Sequence, residues 1–236
     1  MDTLILEKKN EVYITVDCDP NIQREISEFF TFYVPGYKFM PAFRNRMWDG
    51  KIRLFSQKTK EIYFGLYPYI RAFAEERGYK IVAGKDVEIN NKVDRDIVTK
   101  FSNSLGQKFE ARDYQIDAIY HSLKFNRALL LSPTASGKSF IIYALIRYYS
   151  HLIKDKPNNR ILLIVPTTSL VEQMYSDFQS YGWNVKKNCH RLYSGYSNQT
   201  DKKVLISTWQ SLYKLPKKYF EQFGCVFGDE AHLFKS

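Results

Sequence analysis

Residues 128–140 contain residue types that could bind the phosphates of a nucleotide. A short apolar run, Ala128 to Leu131, leads into small residues and then into Gly137-Lys138-Ser139, which opens a second apolar stretch. Small residues let backbone N–H groups approach phosphate oxygens, and a helix that starts here adds its positive dipole end. Lys138 would then reach the β- and γ-phosphates, and the Ser139 hydroxyl would ligate Mg²⁺. The pattern therefore predicts a site for ATP and Mg²⁺.

This loop departs from the general pattern at one position. The pattern has Gly five residues before Gly137, and Ser132 stands there instead. The same residues could therefore form a strand, a turn and a helix without any ligand. The candidate ATP-binding residues of the loop are Pro133, Thr134, Ala135, Ser136, Gly137, Lys138 and Ser139.

An acidic pair near the end of the sequence could supply what the loop lacks. Asp229-Glu230 follows the apolar run Cys225–Phe227 and precedes His232. A carboxylate at the end of a strand can hold Mg²⁺, and a neighbouring Glu can deprotonate an attacking water. We therefore assign Asp229 to the metal and Glu230 to the general base. An acidic pair is also common on ordinary surfaces, but its place after an apolar strand favours the catalytic interpretation.

Alternating strands and helices are predicted to position these groups. Such alternation indicates a doubly wound parallel sheet of the α/β class, in which ligands bind beyond the carboxyl ends of the strands. The predicted strands are Ala128–Leu131, Ile161–Val165, Val204–Ile206 and Cys225–Phe227. The predicted helices are Phe140–Leu152, Ser169–Tyr181 and Trp209–Tyr213.

The first 90 residues predict a separate small α+β domain. Alternating apolar residues over 3–17 indicate a β-hairpin, and Asp19-Pro20 indicates a helix start. The polar stretch 84–108 then places the domain boundary near residue 90, which gives domains 1–90 and 91–236. The other predicted elements are strands Lys51–Phe55, Glu61–Phe64 and Tyr79–Ala83, a helix from Tyr67 to Gly78, and a helix within Asp94–Leu105.

Composition narrows the class of protein. The 35 Lys and Arg outnumber the 25 Asp and Glu, and the net charge of +10 favours a nucleic-acid partner. Cys18, Cys189 and Cys225 lie too far apart in the sequence for metal-ligand spacing, which is typical of a reduced, intracellular protein. No stretch approaches the ~20 apolar residues of a membrane span. We therefore expect a cytoplasmic protein with no membrane partner.

The most basic stretch, residues 37–60, interleaves cations with aromatic residues and contains a single acidic residue, Asp49. Cations follow a phosphate backbone, and exposed rings stack on unpaired bases. Phe43 and Trp48 are candidate stacking platforms. Alternatively, the aromatics form the core of the small domain, which the alternation of Ile52 and Leu54 with basic residues favours. The candidate nucleic-acid contacts are Arg44, Arg46, Lys51 and Arg53.

The motifs together resemble a known superfamily. Gly137-Lys138-Ser139 with Asp229-Glu230-Ala231-His232 is similar to motifs I and II of superfamily 2 helicases and translocases, in the DEAH-box form. Three further segments occur in the order that this family would show, over residues ~109 to 236, although each alone could be a cap or a turn. They are Arg112-Asp113-Tyr114-Gln115, Pro166–Leu170 with Gln173, and Ser207–Ser211.

The resemblance implies specific roles for these segments. Residues 91–236 would form a RecA-like domain, Gln115 would read the adenine edge, and Arg112 would lie against the nucleotide. His232 would couple nucleotide state to nucleic-acid binding, although it could equally be an ordinary surface residue. The catalytic set implied is Lys138, Asp229, Glu230 and His232. Nucleic-acid contacts are implied for Pro166, Thr167, Thr208 and Gln210.

The resemblance also implies an ATP-dependent DNA helicase or translocase, with branched or single-stranded DNA or RNA–DNA hybrids as partners. Such an enzyme needs a second RecA-like domain. We therefore expect this chain to be the N-terminal part of a longer enzyme and to hydrolyse ATP poorly alone. Two alternatives stay open. One is the ATPase portion of a restriction endonuclease or RNA helicase. The other is a DNA-binding module with a vestigial nucleotide site, which Ser132 and Ala135 in place of common glycines would permit.

Overall fold

The chain folds as two units, Met1–Asn90 and Asn91–Ser236. The computed structural model describes residues 2–87, 91–133 and 135–234. No helix in these ranges combines the length and the apolar character that crossing a bilayer requires.

The predicted N-terminal hairpin forms two inner strands of the sheet of the first unit. Strands β1 (Thr3–Lys8) and β2 (Tyr13–Asp17) pair antiparallel. Their inward side chains are fully buried because two helices, α1 (Pro20–Phe29) and α3 (Tyr67–Arg77), pack over them. Helix α1 starts where Asp19 accepts a hydrogen bond from the Asn21 N–H at 2.9 Å. The remaining elements are α1 (Pro20–Phe29), β3 (Thr31–Tyr33), α2 (Pro41–Arg44), β4 (Lys51–Arg53), β5 (Phe55–Ser56), β6 (Glu61–Tyr63), α3 (Tyr67–Arg77) and β7 (Lys80–Ala83).

The predicted strand Lys51–Phe55 is in fact two strands of two different sheets. Strand β4 pairs with β3 in a two-stranded sheet, whereas β5 joins the five-stranded sheet β5-β6-β2-β1-β7. The expectation that Ile52 faces the core is wrong. Ile52 and Phe32, which lies opposite it across the β3–β4 ladder, are both exposed. Alternation along one strand shows two faces but not which of them another layer will cover.

The second unit contains a four-stranded parallel sheet, as the alternation of strands and helices predicts. Its strand order is β11-β8-β10-β9. The elements in chain order are α4 (Arg95–Asn103), α5 (Asp113–Phe125), α6 (Lys138–Leu152), β8 (Arg160–Val165), α7 (Thr168–Ser180), α8 (Val185–Asn188), β9 (Cys189–Leu192), β10 (Val204–Thr208), α9 (Trp209–Leu212) and β11 (Phe223–Gly228), with 3₁₀ turns at Lys217–Gln222 and Ala231–Leu233.

Both faces of this sheet are buried, which explains its continuous apolar strands. Along β8, Ile161 and Leu163 enter the main core of the unit, whereas Leu162 joins a second cluster on the opposite face. Helices α5, α6 and α7 contribute to the main core, and α9 contributes Leu212 to the second cluster. The layers therefore hold the carboxyl ends of four adjacent strands at one edge.

The predicted strand over Ala128–Leu131 is wrong. This run belongs to none of the strands in the described part of the chain, and Leu129 and Leu131 are 79% and 91% exposed. Only Leu130 packs against the core. A strand needs hydrogen-bonding neighbours, which apolar composition does not provide. The fourth strand of the sheet is instead β9, whose mixed sequence Cys-His-Arg-Leu hides it from periodicity.

Candidate active site

Lys138 and the acidic pair meet, although they lie 92 residues apart in the sequence. Helix α6 starts at Lys138, and the acidic pair follows the end of β11. The Lys138 Nζ donates a hydrogen bond to Glu230 Oε1 in an ion pair. Roughly a third of each side chain stays exposed, so that solutes reach both groups. The loop before α6 and the carboxyl edge of the sheet therefore face one another.

Each partner of this ion pair changes the pKa of the other. The hydrogen bond from Lys138 lowers the pKa of Glu230, and the same bond raises the pKa of Lys138. Both groups are consequently charged throughout the neutral range. A lysine that is held charged and partly exposed beside a loop of small residues can exchange its carboxylate partner for another anion.

Asp229 lies deeper than its neighbour, with 6% of its surface exposed. Its N–H donates to the Ile164 carbonyl at 2.9 Å, which continues the β11–β8 pairing by one residue and fixes the carboxylate at the strand end. Burial raises the pKa of Asp229, and the nearby Lys138 ammonium opposes that rise. A bound cation would stabilise the ionised form of such a buried carboxylate.

The backbone turns sharply directly after Asp229. Glu230 has a φ of +51°, in the left-handed region that non-glycine residues seldom occupy. The His232 Nδ1 lies 3.5 Å from Glu230 Oε2, while the His232 side chain is mostly exposed. The turn therefore brings Glu230 between Lys138 and His232.

Helix α5 holds the loop before Lys138 in place. The Ser136 carbonyl accepts hydrogen bonds from the Tyr114 hydroxyl at 2.9 Å and from Gln115 Nε2 at 3.1 Å. Gln115 Oε1 in turn accepts from the Arg112 N–H at 3.0 Å, and the Arg112 guanidinium donates to the Tyr114 hydroxyl. Arg112 and Gln115 thus adjoin the predicted phosphate loop, where the sequence pattern places them.

Hydrogen bonds link several described residues of the loop. Ser132 and Ser136 share a hydroxyl–hydroxyl hydrogen bond, and Ala135 takes a φ of +63°. The Ser136 N–H donates to the Pro133 carbonyl at 3.3 Å, whereas Thr134 lies outside the described residues. The Ser132 hydroxyl thus has a structural partner within the loop, which a glycine there would lack.

Gly137 is the position where the loop is least tolerant of a side chain. It has a φ of +77°, and a Cβ here would overlap Gln115 Nε2. We expect Gly137→Ala to displace the Gln115 bond to Ser136, to weaken nucleotide binding and to destabilise the unit by about 1–3 kcal/mol. Titration with a fluorescent ATP analogue and thermal melts check this. Gly65→Ala is the control, because its Cβ would enter open space without a positive φ; equal effects of both changes would contradict the role of Gly137.

Oxygen ligands for Mg²⁺ are available from two candidate residues. The Ser139 hydroxyl and the Asp229 carboxylate are hard donors of the kind that Mg²⁺ prefers. Ser139 Oγ lies 2.8 Å from the Tyr181 hydroxyl, a hydrogen bond that orients it. Across the described ranges, no group of three or more His, Cys, Asp or Glu side chains could cage a metal. The donor set therefore fits an ion that is completed by water and by phosphate oxygens.

The predicted nucleic-acid residues of the second unit lie at the same carboxyl edge. Val165 of β8 stands opposite Thr208 of β10 in the parallel ladder, so Pro166-Thr167 and Gln210 follow adjacent strand ends. Thr167 and Gln210 are exposed, but Pro166 and Thr208 are buried. Thr167 accepts a bond from the Leu170 N–H as the N-cap of α7, and Thr208 pairs with Ser211. Thr167 and Gln210 are thus the members of this set that an external ligand can reach.

The predicted basic contacts of the first unit divide into two groups. Arg53 forms an ion pair with Asp49, and Lys51 Nζ lies 4.9 Å from the centre of the Tyr33 ring. Arg44 and Arg46 are exposed, and neither forms an ion pair with a described residue. Among the four predicted contacts, Arg44 and Arg46 are therefore the exposed side chains that form neither an ion pair nor a ring contact with a described residue.

Sequence reasoning missed two residues of the site, Tyr114 and Tyr181. Tyr114 lies within the segment Arg112–Gln115, in which only Arg112 and Gln115 were predicted to contact the nucleotide. Its position directly before Gln115 was the sequence feature that could have indicated a role at the site. Tyr181 lies 42 residues from Ser139 and carries no sequence signal. Only the packing of α7 beside α6 brings its hydroxyl to the loop.

Each of the two units matches a family that is named for a nucleic-acid enzyme. Residues 108–236 match the family model described as "Type III restriction enzyme, res subunit", and residues 5–84 match "DNA helicase UvsW, N-terminal". The ATP-dependent DNA helicase UvsW of Enterobacteria phage T4 is 37% identical over 232 residues, which cover 94% of this chain and 45% of that protein. A Dicer-like protein 2-2 of Aspergillus niger is 29% identical over 131 residues, or 52% of this chain and 9% of that protein.

Solved structures give the same result for the fold. Two crystal structures of UvsW from bacteriophage T4 each match with a TM-score of 0.84. The first shares 32% identity and covers 100% of this chain and 84% of that one; the second shares 33% and covers 98% and 48%. The chain spans less than half the length of the curated relatives it matches. These matches confirm the RecA-like α/β architecture and the resemblance to superfamily 2 helicases.

Proposed function

We propose that this chain forms the nucleotide-binding portion of an ATP-dependent DNA helicase. The chain belongs to the family of the type III restriction enzyme res subunit, whose model matches residues 108–236. The observation that carries the proposal is the ion pair between Lys138 and Glu230, which joins the phosphate loop to the acidic pair at the carboxyl edge of the sheet. This is the edge at which ligands bind in open α/β sheets. The relatives named as UvsW helicases add support across both units.

In this proposal the phosphate loop binds the nucleotide. The residues are Arg112, Gln115, Pro133, Thr134, Ala135, Ser136, Gly137, Lys138 and Ser139, with Thr134 included from its sequence position alone. Lys138 exchanges Glu230 for the β- and γ-phosphates. Because Glu230 is then released, its carboxylate is free to accept a proton from the attacking water.

Ser139 and Asp229 hold Mg²⁺ in this proposal. The ion supplies positive charge that offsets the negative charge of the phosphate oxygens. The Ser139 hydroxyl needs an acceptor for its proton if its lone pairs are to serve the ion, and the Tyr181 hydroxyl lies at hydrogen-bonding distance. His232, which faces Glu230 Oε2, is placed to sense whether Glu230 is paired or free.

We propose branched or single-stranded DNA as the substrate, with RNA–DNA hybrids as a further one. Arg44, Arg46, Lys51 and Arg53 on the first unit, together with Pro166, Thr167, Thr208 and Gln210 on the second, are the proposed contacts. Because Pro166 and Thr208 are buried, the accessible contacts of the second unit in this proposal are Thr167 and Gln210. A second RecA-like domain completes the motor, and the T4 helicase is about twice as long as the part that this chain matches. We place the protein in the cytoplasm, which for a phage protein is that of the host.

A second candidate is the motor portion of a restriction endonuclease, which the family description itself favours. The two candidates differ in substrate. We expect the purified chain to bind junction and single-stranded DNA more tightly than blunt duplex in a gel-shift assay. The logarithm of the binding constant should fall linearly with the logarithm of the salt concentration. Selective binding to blunt duplex would contradict the branched-DNA helicase and favour the second candidate. Binding that does not depend on salt would contradict both candidates.

A further inference from the structure

Phe43 and Trp48, the residues predicted to stack on bases, make contacts within their own segment. The Tyr33 and Tyr37 rings stack at 4.7 Å, and the Phe43 ring meets Tyr37 edge-on at 4.8 Å. Trp48 Nε1 donates to the Lys51 carbonyl at 2.9 Å. These contacts fix the segment between β3 and β4, and they leave Phe43 and Trp48 half-buried.

The same segment leaves two large apolar side chains in solvent. Phe39 is 85% exposed and Met47 is 81% exposed. Both lie in backbone turns that are closed by hydrogen bonds, from the Phe39 N–H to Gly36 and from the Met47 N–H to Ala42. Their exposure is therefore held by a fixed framework, and ordering such side chains on a partner costs less entropy than ordering a loose loop.

The charge around these side chains selects the partner. Residues 37–48 contain Lys38, Arg44 and Arg46 and no acidic residue, and the guanidinium groups of Arg44 and Arg46 form no ion pair within the described part of the first unit. A partner must therefore present negative charge beside a flat apolar face. An unpaired nucleotide has both, whereas the base faces inside a duplex are covered by their neighbours.

We propose that Phe39 stacks on an unpaired base of DNA, while Arg44 and Arg46 contact the flanking phosphates. This proposal rests on the proposed function and deepens it, because it names the side chain that would distinguish unpaired from paired DNA. Met47 lies beside Arg46 in the sequence and extends the apolar surface.

The test is fluorescence anisotropy of labelled single-stranded, junction and blunt duplex DNA with the purified chain at ~0.1 M salt. Phe39→Ala is expected to weaken binding to single-stranded and junction DNA roughly 5- to 100-fold, the range of base–aromatic stacking, and to change duplex binding by less than about twofold. Phe39→Trp restores the affinity. Tyr69→Ala removes another exposed aromatic of the same unit and serves as the matched control.

Salt dependence separates stacking from charge. Phe39→Ala leaves the slope of log K against log[salt] unchanged, whereas Arg44→Gln reduces its magnitude by about 1. If the unaltered chain binds DNA but Phe39→Ala matches it on every substrate, the stacking proposal fails and the proposed function stands. If the unaltered chain binds no DNA, both fail. If Phe39→Ala loses binding to anionic lipid vesicles while its affinity for DNA is unchanged, the surface belongs to a membrane contact and the proposal is overturned.

Discussion

Replacing Lys138 by alanine is expected to eliminate measurable ATP hydrolysis and to weaken ATP binding about 10- to 100-fold. A hydrogen bond from a charged donor to a phosphate contributes about 1.5–3 kcal/mol, which accounts for the loss in binding. The larger loss is in the chemical step, because a preorganised donor aimed at developing negative charge contributes about 10²–10³ to the rate.

The control for this prediction is Lys154→Ala. Lys154 lies two residues beyond the end of α6, and its side chain is mostly exposed. Titration with a fluorescent ATP analogue measures binding, and release of inorganic phosphate measures hydrolysis in the protein that contains this chain. Unchanged hydrolysis in Lys138→Ala would mean that the nucleotide site is vestigial, and the DNA-binding module would then be the better description.

Glu230→Gln is expected to separate binding from catalysis. Removing a general base costs about 10²–10⁴ in hydrolysis rate, whereas the glutamine keeps the shape of the side chain. ATP binding should be unchanged or tighter, because the amide no longer competes as a counter-ion for Lys138. Glu221→Gln, an exposed change in the 3₁₀ turn before β11, is the matched control. Weaker ATP binding with normal hydrolysis would contradict the assignment of Glu230.

The acid limb of kcat/KM gives a second measure of the same pair. Lys138 holds the pKa of Glu230 below its ordinary value, and kcat/KM reports groups of the free enzyme. A depressed pKa means that the carboxylate stays ionised as pH falls until that lower value is crossed. We therefore expect no loss of kcat/KM assignable to Glu230 between neutral pH and the usual range of a glutamate.

Local signals in the sequence predict the parts of the fold that depend on neighbours along the chain. The N-cap at Asp19, the left-handed Gly78 after α3 and the start of α6 near Lys138 follow from residue types within a few positions. The meeting of Lys138 with the acidic pair was also predicted, on the argument that parallel strands bring their carboxyl ends to one edge. Strand β11 supports that argument, whereas the strand expected before the loop is not among the described strands.

Features that depend on distant partners were not predictable. Ala128–Leu131 has the composition of a strand but forms no ladder with a described residue, whereas β9 has a mixed composition and pairs with β10. The bond between Ser139 and Tyr181 depends on how α7 packs beside α6. Among the aromatics of residues 37–48, the sequence favoured Phe43 and Trp48, yet both are half-buried by contacts within the segment, whereas Phe39 is exposed.

The most direct test is a crystal structure of the chain with Mg²⁺ and a non-hydrolysable ATP analogue. We predict that the triphosphate lies between the loop and Asp229-Glu230, with Lys138 Nζ on a phosphate oxygen and no longer on the Glu230 carboxylate. A nucleotide bound elsewhere on the chain, with Lys138 still paired to Glu230, would contradict the account.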